Sequence, residues 1–213
     1  TLVQVDEDTY ALGFMGSGDD GYVSTFTVRA SDQIAPTISA VTLAADNSTI
    51  TVTLDEAVFN SDAGSGSLEA SDFALSISGG TATLSSATPT SISSSGNIYT
   101  LGIGFSGTPD GSEVLTVVPT DDGIYDASGN ESSTTQSGNT ANLKDKLPAT
   151  ISSVAVASNN ATVAVTISET VYNTNGGSGA LQASDFFFSI SGGSATLSHA
   201  APISFSASGN VYT

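Results

Sequence analysis

The sequence contains no cysteine and no tryptophan among its 213 residues, and only three lysine or arginine residues against 21 aspartate or glutamate residues. Without cysteine there are no disulfides, no thiolate zinc sites and no cysteine nucleophile. With a formal net charge of −18, the chain lacks the positive side chains that nucleic acids and anionic lipids require, so neither is expected as a partner. No apolar run reaches the roughly 18 residues of a transmembrane helix, so we expect no membrane insertion.

One passage of the sequence occurs twice. The segment "ASDFALSISGGTATLS" at 70–85 returns 113 residues later as "ASDFFFSISGGSATLS" at 183–198, and the alignment continues without a gap to the last residue. We therefore predict a complete repeat at 32–144, a truncated repeat at 145–213, and terminal strands of a preceding β domain at 1–31. The sequence has no initiator methionine and no visible signal peptide, so we expect it to be an excerpt of a longer chain.

Each repeat is predicted to be all-β. Apolar residues alternate with polar ones, as in strands with one buried face, and turn-forming clusters such as "DAGSGS" and "SSGN" separate them. The predicted buried positions are Ile50, Val52, Leu54, Phe73, Leu75, Ile77, Tyr99, Leu101, Ile103 and Phe105 in the first repeat, and Val163, Val165, Ile167, Phe186, Phe188 and Ile190 in the second. About seven strands in roughly 110 residues favour tandem immunoglobulin-like β-sandwich repeats. A β-solenoid has much shorter rungs, and a disordered chain would not show this phasing.

The acidic residues change unevenly between the repeats. Four acids of the first repeat become uncharged in the second; these pairs are Asp46 and Asn159, Asp55 and Ser168, Asp62 and Asn175, and Glu69 and Gln182. Three acids are kept: Asp32 as Asp145, Glu56 as Glu169, and Asp72 as Asp185. This difference predicts a charge-dependent role for the retained three.

The strand order of an antiparallel sandwich brings the retained acids to one end. Asp32 precedes the first strand, Glu56 ends the second, Asp72 begins the third, and the loop Asp121–Asn130 precedes the last. Crowded carboxylates together with other oxygen ligands favour Ca²⁺, which takes six to eight oxygens, and within the loop Asn130 is one further candidate oxygen ligand. The competing interpretation is that Asp32 and Asp72 are turn or cap residues and that Glu56 is a solvated strand end.

The segments "SDQIAPTISAVTLAADNSTITVTLDEAVF", "SLEASDFALSISGG" and "IYDASGN" resemble the bacterial immunoglobulin-like repeats of very large surface and secreted proteins, some of which are calcium-dependent. The resemblance covers residues 32–213 and implies an extracellular, tandem stalk stiffened by Ca²⁺. The ligands that it implies are Asp32, Glu56, Asp72 and Asp126 in the first repeat, and Asp145, Glu169 and Asp185 in the second.

Catalysis is not expected. The only histidine, His199, aligns with a serine in the other repeat, and no G-x-S-x-G segment with a histidine partner is present. We predict a structural spacer or filament segment of an extracellular bacterial surface or adhesin-like protein, with neighbouring repeats or copies of itself as partners. One such assembly would pair residues 1–31 of one chain with the open repeat of the next. The alternative is a carbohydrate- or surface-binding module, which the lack of tryptophan disfavours.

Overall fold

The computed structural model describes residues 2–4, 9–15, 21–27 and 32–213, and this part of the chain is built from antiparallel strands. The chain divides into a first unit, Thr1–Lys146, and a second unit, Leu147–Thr213. The strands of the first unit are β1 (Leu2–Gln4), β2 (Thr9–Met15), β3 (Gly21–Thr27), β4 (Ile38–Leu43), β5 (Thr49–Leu54), β6 (Phe73–Ser78), β7 (Thr83–Leu84), β8 (Ile92–Ser95), β9 (Ile98–Gly102), β10 (Phe105–Ser106), β11 (Val114–Pro119) and β12 (Thr140–Asn142). Those of the second unit are β13 (Ile151–Val156), β14 (Val163–Ile167), β15 (Ala207–Ser208) and β16 (Val211–Tyr212).

The described parts of residues 1–31 form a three-stranded antiparallel sheet in the order β1-β2-β3. Strands β2 and β3 pair along their full length, from Thr9 opposite Thr27 to Met15 opposite Gly21. The strand–turn–strand pair expected here is therefore present, while its turn at residues 16–20 lies outside the described residues. Whether these strands belong to a preceding domain stays a prediction.

Residues 32–146 fold around two antiparallel sheets that share one hydrophobic core. One sheet has the order β4-β5-β9-β8 and the other the order β12-β11-β6, with β7 and β10 as a separate short pair. Side chains from both sheets meet in a single buried cluster, which includes Ile50, Val52, Leu54, Phe73, Leu75, Tyr99, Leu101, Leu115, Val117 and Leu143. The all-β prediction is confirmed, and the two facing sheets give a sandwich-like arrangement.

The alternating pattern correctly identified the buried face of β5. Ile50, Val52 and Leu54 are at most 2% exposed, because every second side chain of a strand points to the same face. One predicted strand is divided in the structure. The sequence pattern predicts one strand from Tyr99 to Phe105. In the structure β9 ends at Gly102, and Phe105 begins β10, which belongs to a different sheet.

The sheet of the second unit follows the strand order β13-β14-β16-β15, which matches β4-β5-β9-β8 strand for strand. Even the irregularity of the first hairpin recurs, since the register shifts between Ile38 and Ala40 in one unit and between Ile151 and Ser153 in the other. The two repeats therefore share local backbone geometry as well as sequence.

The prediction of a buried strand through Phe186, Phe188 and Ile190 is wrong for this structure. The residues are not in a strand, the two phenylalanines are only half-buried, and Ile190 is 52% exposed. In the first unit β6 is a strand because it pairs with β11, whereas no described strand pairs with residues 186–191.

No helix in the described part of the chain is long and apolar enough to cross a membrane.

Candidate metal centre

Three of the predicted acids meet at one end of the sandwich. One carboxylate oxygen from each of Asp32, Glu56 and Asp126 lies within 4.8 Å of the other two. Asp32 precedes β4, Glu56 follows β5, and Asp126 lies in the loop between β11 and β12. Antiparallel strand order brings these three points of the chain together, as the sequence analysis expected. We call this group the acidic cluster.

Asp126 is the fixed member of the acidic cluster. Its side chain is 1% exposed. One carboxylate oxygen, Oδ1, accepts the backbone N–H groups of Ser128 at 2.7 Å and Asn130 at 2.8 Å, and the other, Oδ2, accepts the Asn130 side-chain amide at 2.6 Å. Burial by itself would raise the pKa of Asp126, but these hydrogen bonds outweigh it and hold the pKa below its ordinary value. Asp126 is therefore a preformed, oriented anion.

The surroundings of Glu56 shift its pKa in the opposite direction, above its ordinary value. Burial raises the pKa of Glu56, and the negative charges of Asp126, Asp32 and Asp55 raise it further. The ionised form of Glu56 is therefore disfavoured when no positive charge is nearby. A cation among the three carboxylates would remove that repulsion.

Asn130 connects the acidic cluster to the segment that leads into the sandwich. Its side-chain amide donates to the backbone carbonyl of Asp32 at 3.0 Å and to that of Ile34 at 3.4 Å, besides its bond to Asp126. Two residues further on, the Ser132 hydroxyl donates to the carbonyl of Pro36 at 2.7 Å. These bonds position Asp32 opposite the loop. Asn130 thus acts here as a donor, and its predicted role as a ligand stays a prediction.

Asp72 is not a member of the acidic cluster. Its carboxylate Oδ2 accepts the backbone N–H of Glu69 at 2.7 Å and caps the short 3₁₀ turn Ala70–Asp72. Burial raises the pKa of Asp72, while the bond from Glu69 partly offsets the rise. Asp185 makes the same bond to the N–H of Gln182 at 2.8 Å. These are the contacts that the competing cap interpretation predicts, and a role of Asp72 and Asp185 as metal ligands stays a prediction.

The second predicted ligand set is divided between the two units. Asp145 belongs to the first unit, whereas Glu169 and Asp185 belong to the second. The position equivalent to Asp126 would lie 113 residues later, beyond the sequence. A metal site in the second repeat therefore stays a prediction.

Sequence reasoning did not identify Glu113, which is 0% exposed. Its carboxylate accepts four backbone N–H groups, from Thr81 at 3.1 Å, Ala82 at 3.0 Å, Asp110 at 3.1 Å and Gly111 at 3.1 Å. Burial would raise the pKa of Glu113, yet these bonds keep it below its ordinary value. The sequence did carry a signal: the residue directly precedes β11, in phase with its buried side chains and two positions before the core residue Leu115. Its partners make it a structural anion rather than a metal ligand.

The comparisons with known proteins returned nothing that resembles the chain: no family model, no curated protein and no solved structure matches it.

Proposed function

We propose that the chain consists of tandem immunoglobulin-like repeats and serves as a structural spacer in an extracellular bacterial surface or adhesin-like protein. In this proposal a Ca²⁺ ion held by Asp32, Glu56 and Asp126 stiffens the point where the chain enters the first repeat. The sandwich-like fold and the shared strand order of the two repeats support the tandem arrangement. Neighbouring repeats or further copies of the chain are the partners that such a spacer requires.

The observation that carries the proposal is the acidic cluster. All its candidate ligand atoms are carboxylate oxygens, which Ca²⁺ prefers over the nitrogen and sulfur donors of zinc or copper sites. Ligands on opposite sides of a Ca²⁺ ion are about 5 Å apart. The three carboxylate oxygens all lie within 4.8 Å of one another, so they fit around one ion. Backbone carbonyls and water would supply the remaining oxygens.

The position of the cluster explains how an ion would affect mechanics. Asp32 belongs to the segment that precedes β4, whereas Glu56 and Asp126 belong to the end of the sandwich. An ion bound to all three would tie this segment to the folded body, in addition to the bonds from Asn130. It would also neutralise the repulsion that raises the pKa of Glu56. Stiffness at a repeat boundary is what a spacer needs.

Calcium titration of the whole chain tests the proposal. We expect one ion to bind at the acidic cluster, to raise the melting temperature, and to slow backbone amide exchange at residues 32–37. Asp126→Asn should abolish these effects. Asp46→Asn is the matched control, because Asp46 accepts only local bonds from Ser48. Superimposed melting curves in EDTA and in millimolar Ca²⁺ would contradict the calcium site, and unchanged exchange at 32–37 would contradict the stiffening role.

A further inference from the structure

The outer strand β8 of the first unit presents an uncharged edge. Among the described strands it pairs with β9 alone, from Ile92 opposite Leu101 to Ser95 opposite Ile98. No charged residue occurs anywhere in residues 73–109, although the chain has a formal net charge of −18. Natural proteins discourage strand addition by placing charged residues on exposed edges. This protection is absent from β8.

Two other outer strands of the same unit have contacts on their outer side. The N–H of Ile38, the first residue of β4, donates to the side-chain oxygen of Gln136 at 2.9 Å. On β6, the N–H of Leu75 donates to the backbone carbonyl of Ala87 at 2.7 Å. These contacts use backbone groups to which an added strand would otherwise bind, so β4 and β6 are poorer acceptors than β8.

The alternation of antiparallel hydrogen bonds decides which backbone groups of β8 face outwards. The N–H of Gly102 donates to the carbonyl of Ser91 at 2.9 Å. Directly opposite residues alternate between bonded and non-bonded pairs, so Ser93 bonds to β9, whereas the N–H and C=O groups of Ile92 and Ser94 point away from β9. These outward groups are the donors and acceptors for a further strand.

A row of hydroxyl groups on the outer face of this sheet ends at the same edge. The row crosses β4, β5, β9 and β8 through directly opposite residues, which are Thr42, Thr51, Thr100 and Ser93. Hydroxyl side chains opposite each other on adjacent strands stabilise a sheet. Ser93 has such a neighbour on one side only, because β8 is the last strand of the sheet.

We propose that β8 is the docking edge for a second copy of this chain, which adds its own β8 antiparallel across a two-fold axis. The axis passes beside Ser93, so that the two copies of Ser93 lie opposite each other, and Ile92 of each copy lies opposite Ser94 of the other. The outward groups of Ile92 and Ser94 then form four backbone hydrogen bonds. The sheet continues over eight strands, and the row of hydroxyl groups continues with it. Such a contact is self-complementary, as a two-fold interface requires.

Charge restricts where two copies of this chain can meet. Each copy carries a formal net charge of −18, so two copies repel each other wherever their acidic groups face one another. Residues 73–109 contribute no such group, and exposed charges more than about 8 Å apart are largely screened at physiological ionic strength. The edge has only four residues, whereas stable interfaces bury roughly 1,200–2,000 Å². The dimer is therefore weak and depends on concentration. The proposal rests neither on the calcium site nor on the spacer role.

Cysteine cross-linking of the whole 213-residue chain tests the proposal, because the chain has no cysteine of its own. In the proposed dimer the two copies of Ser93 form a non-bonded pair with Cα atoms about 4.5 Å apart, a distance that a disulfide spans. The two copies of Ser95 lie about 13 Å apart along the strands, which is too far. With oxidised glutathione and EDTA, Ser93→Cys should form a disulfide-linked dimer at least roughly tenfold faster than Ser95→Cys.

The two cysteine variants are matched controls, since both serines are exposed on the same strand. Adding Ser94→Pro to Ser93→Cys should lower the rate to that of Ser95→Cys, because proline removes the outward N–H of residue 94 and leaves the bonds to β9 in place. A denaturant midpoint checks that this double variant folds, and the comparison of the two serine positions does not require it. Equal rates for the two single variants, or a folded double variant that cross-links as fast as Ser93→Cys, would overturn the proposal. Because EDTA is present throughout, either result leaves the calcium titration unaffected.

Discussion

At the scale of single residues, the substitutions between the repeats preserve hydrogen-bond acceptors while they remove charge. Asp46 accepts the N–H of Ser48 at 3.0 Å, and the aligned Asn159 accepts that of Ala161 at 3.0 Å. Glu69 and Gln182 likewise cap equivalent turns. An amide oxygen replaces a carboxylate oxygen at such sites because the turn requires an acceptor and not an anion.

The role of Asp72 can be separated from that of the acidic cluster by mutation. We expect Asp72→Ala to destabilise the first unit by about 1 kcal/mol, the usual cost of a lost cap, because the N–H of Glu69 loses its acceptor. The rise in melting temperature on adding Ca²⁺ should equal that of the unmodified chain. A rise that shrinks, as expected for Asp126→Asn, would instead identify Asp72 as a ligand.

Glu113 gives stability a defined pH dependence. Its folded-state pKa lies below the ordinary 4.5, so its contribution is complete above that value and is lost as the pH falls through the folded pKa. We expect Glu113→Gln to cost about 2 kcal/mol at pH 7, since four N–H groups lose a charged acceptor. In urea unfolding the difference from the unmodified chain should shrink as the pH falls below 4.5. A difference that stays constant down to full acid unfolding would contradict this assignment.

At the scale of elements, the side chain of Asp55 links the residue before β4 to the end of β5 by hydrogen bonds. The carboxylate of Asp55 accepts the N–H of Thr37 at 2.8 Å and its hydroxyl at 2.6 Å. In the second unit the hydroxyl of Ser168 accepts the N–H of Thr150 at 2.9 Å. The connection between the two strands is therefore conserved although the residue changes from acid to hydroxyl.

The aligned residues Asp55 and Ser168 predict that substitutions at position 55 lower the free energy of unfolding by different amounts. Asp55→Ser should retain the backbone bond and cost less than about 0.5 kcal/mol, whereas Asp55→Ala should cost about 1 kcal/mol, the usual net contribution of a hydrogen bond, because the exposed N–H of Thr37 loses its acceptor. Denaturant midpoints of the two variants provide the measurement. Equal losses for serine and alanine would show that the hydroxyl cannot replace the carboxylate in the first unit.

At the scale of the whole molecule, the two units differ in how much apolar surface they bury. The first has two sheets around a common core, whereas the sheet of the second unit leaves side chains such as those of Ile151 and Val156 exposed. Stability within one chain is not uniform, and regions with fewer buried contacts open first. The acidic cluster lies entirely within the first unit.

We therefore expect two calorimetric transitions, of which Ca²⁺ shifts only the upper one. A ligand at 100 times its Kd stabilises the folded state by about 2.7 kcal/mol, which corresponds to a shift on the order of 5–10 °C for a unit of this size. The Asp126→Asn variant should show the same lower transition and an upper one insensitive to Ca²⁺. Equal displacement of both transitions would place binding outside the acidic cluster.

The sequence by itself determined the all-β class, the repeat and the buried face of β5. These properties are local: alternation has a period of two along the chain, and repetition is visible from the residue order alone. It also placed Asp32, Glu56 and the loop 121–130 at one end, since antiparallel strands bring their connecting loops together, but Asp72, which was expected there too, lies outside the acidic cluster. The immunoglobulin-like assignment and the bound Ca²⁺ remain proposals.

Only the tertiary structure decided what each polar group contacts. Asp72 and Glu56 are both retained acids next to strands, yet one caps a turn and the other joins the acidic cluster. Phe186 has the same identity as Phe73 but is not in a strand, because a strand needs a partner that its own sequence does not specify. Contacts between residues far apart in sequence depend on which surfaces the fold brings together, and local patterning carries no information about them.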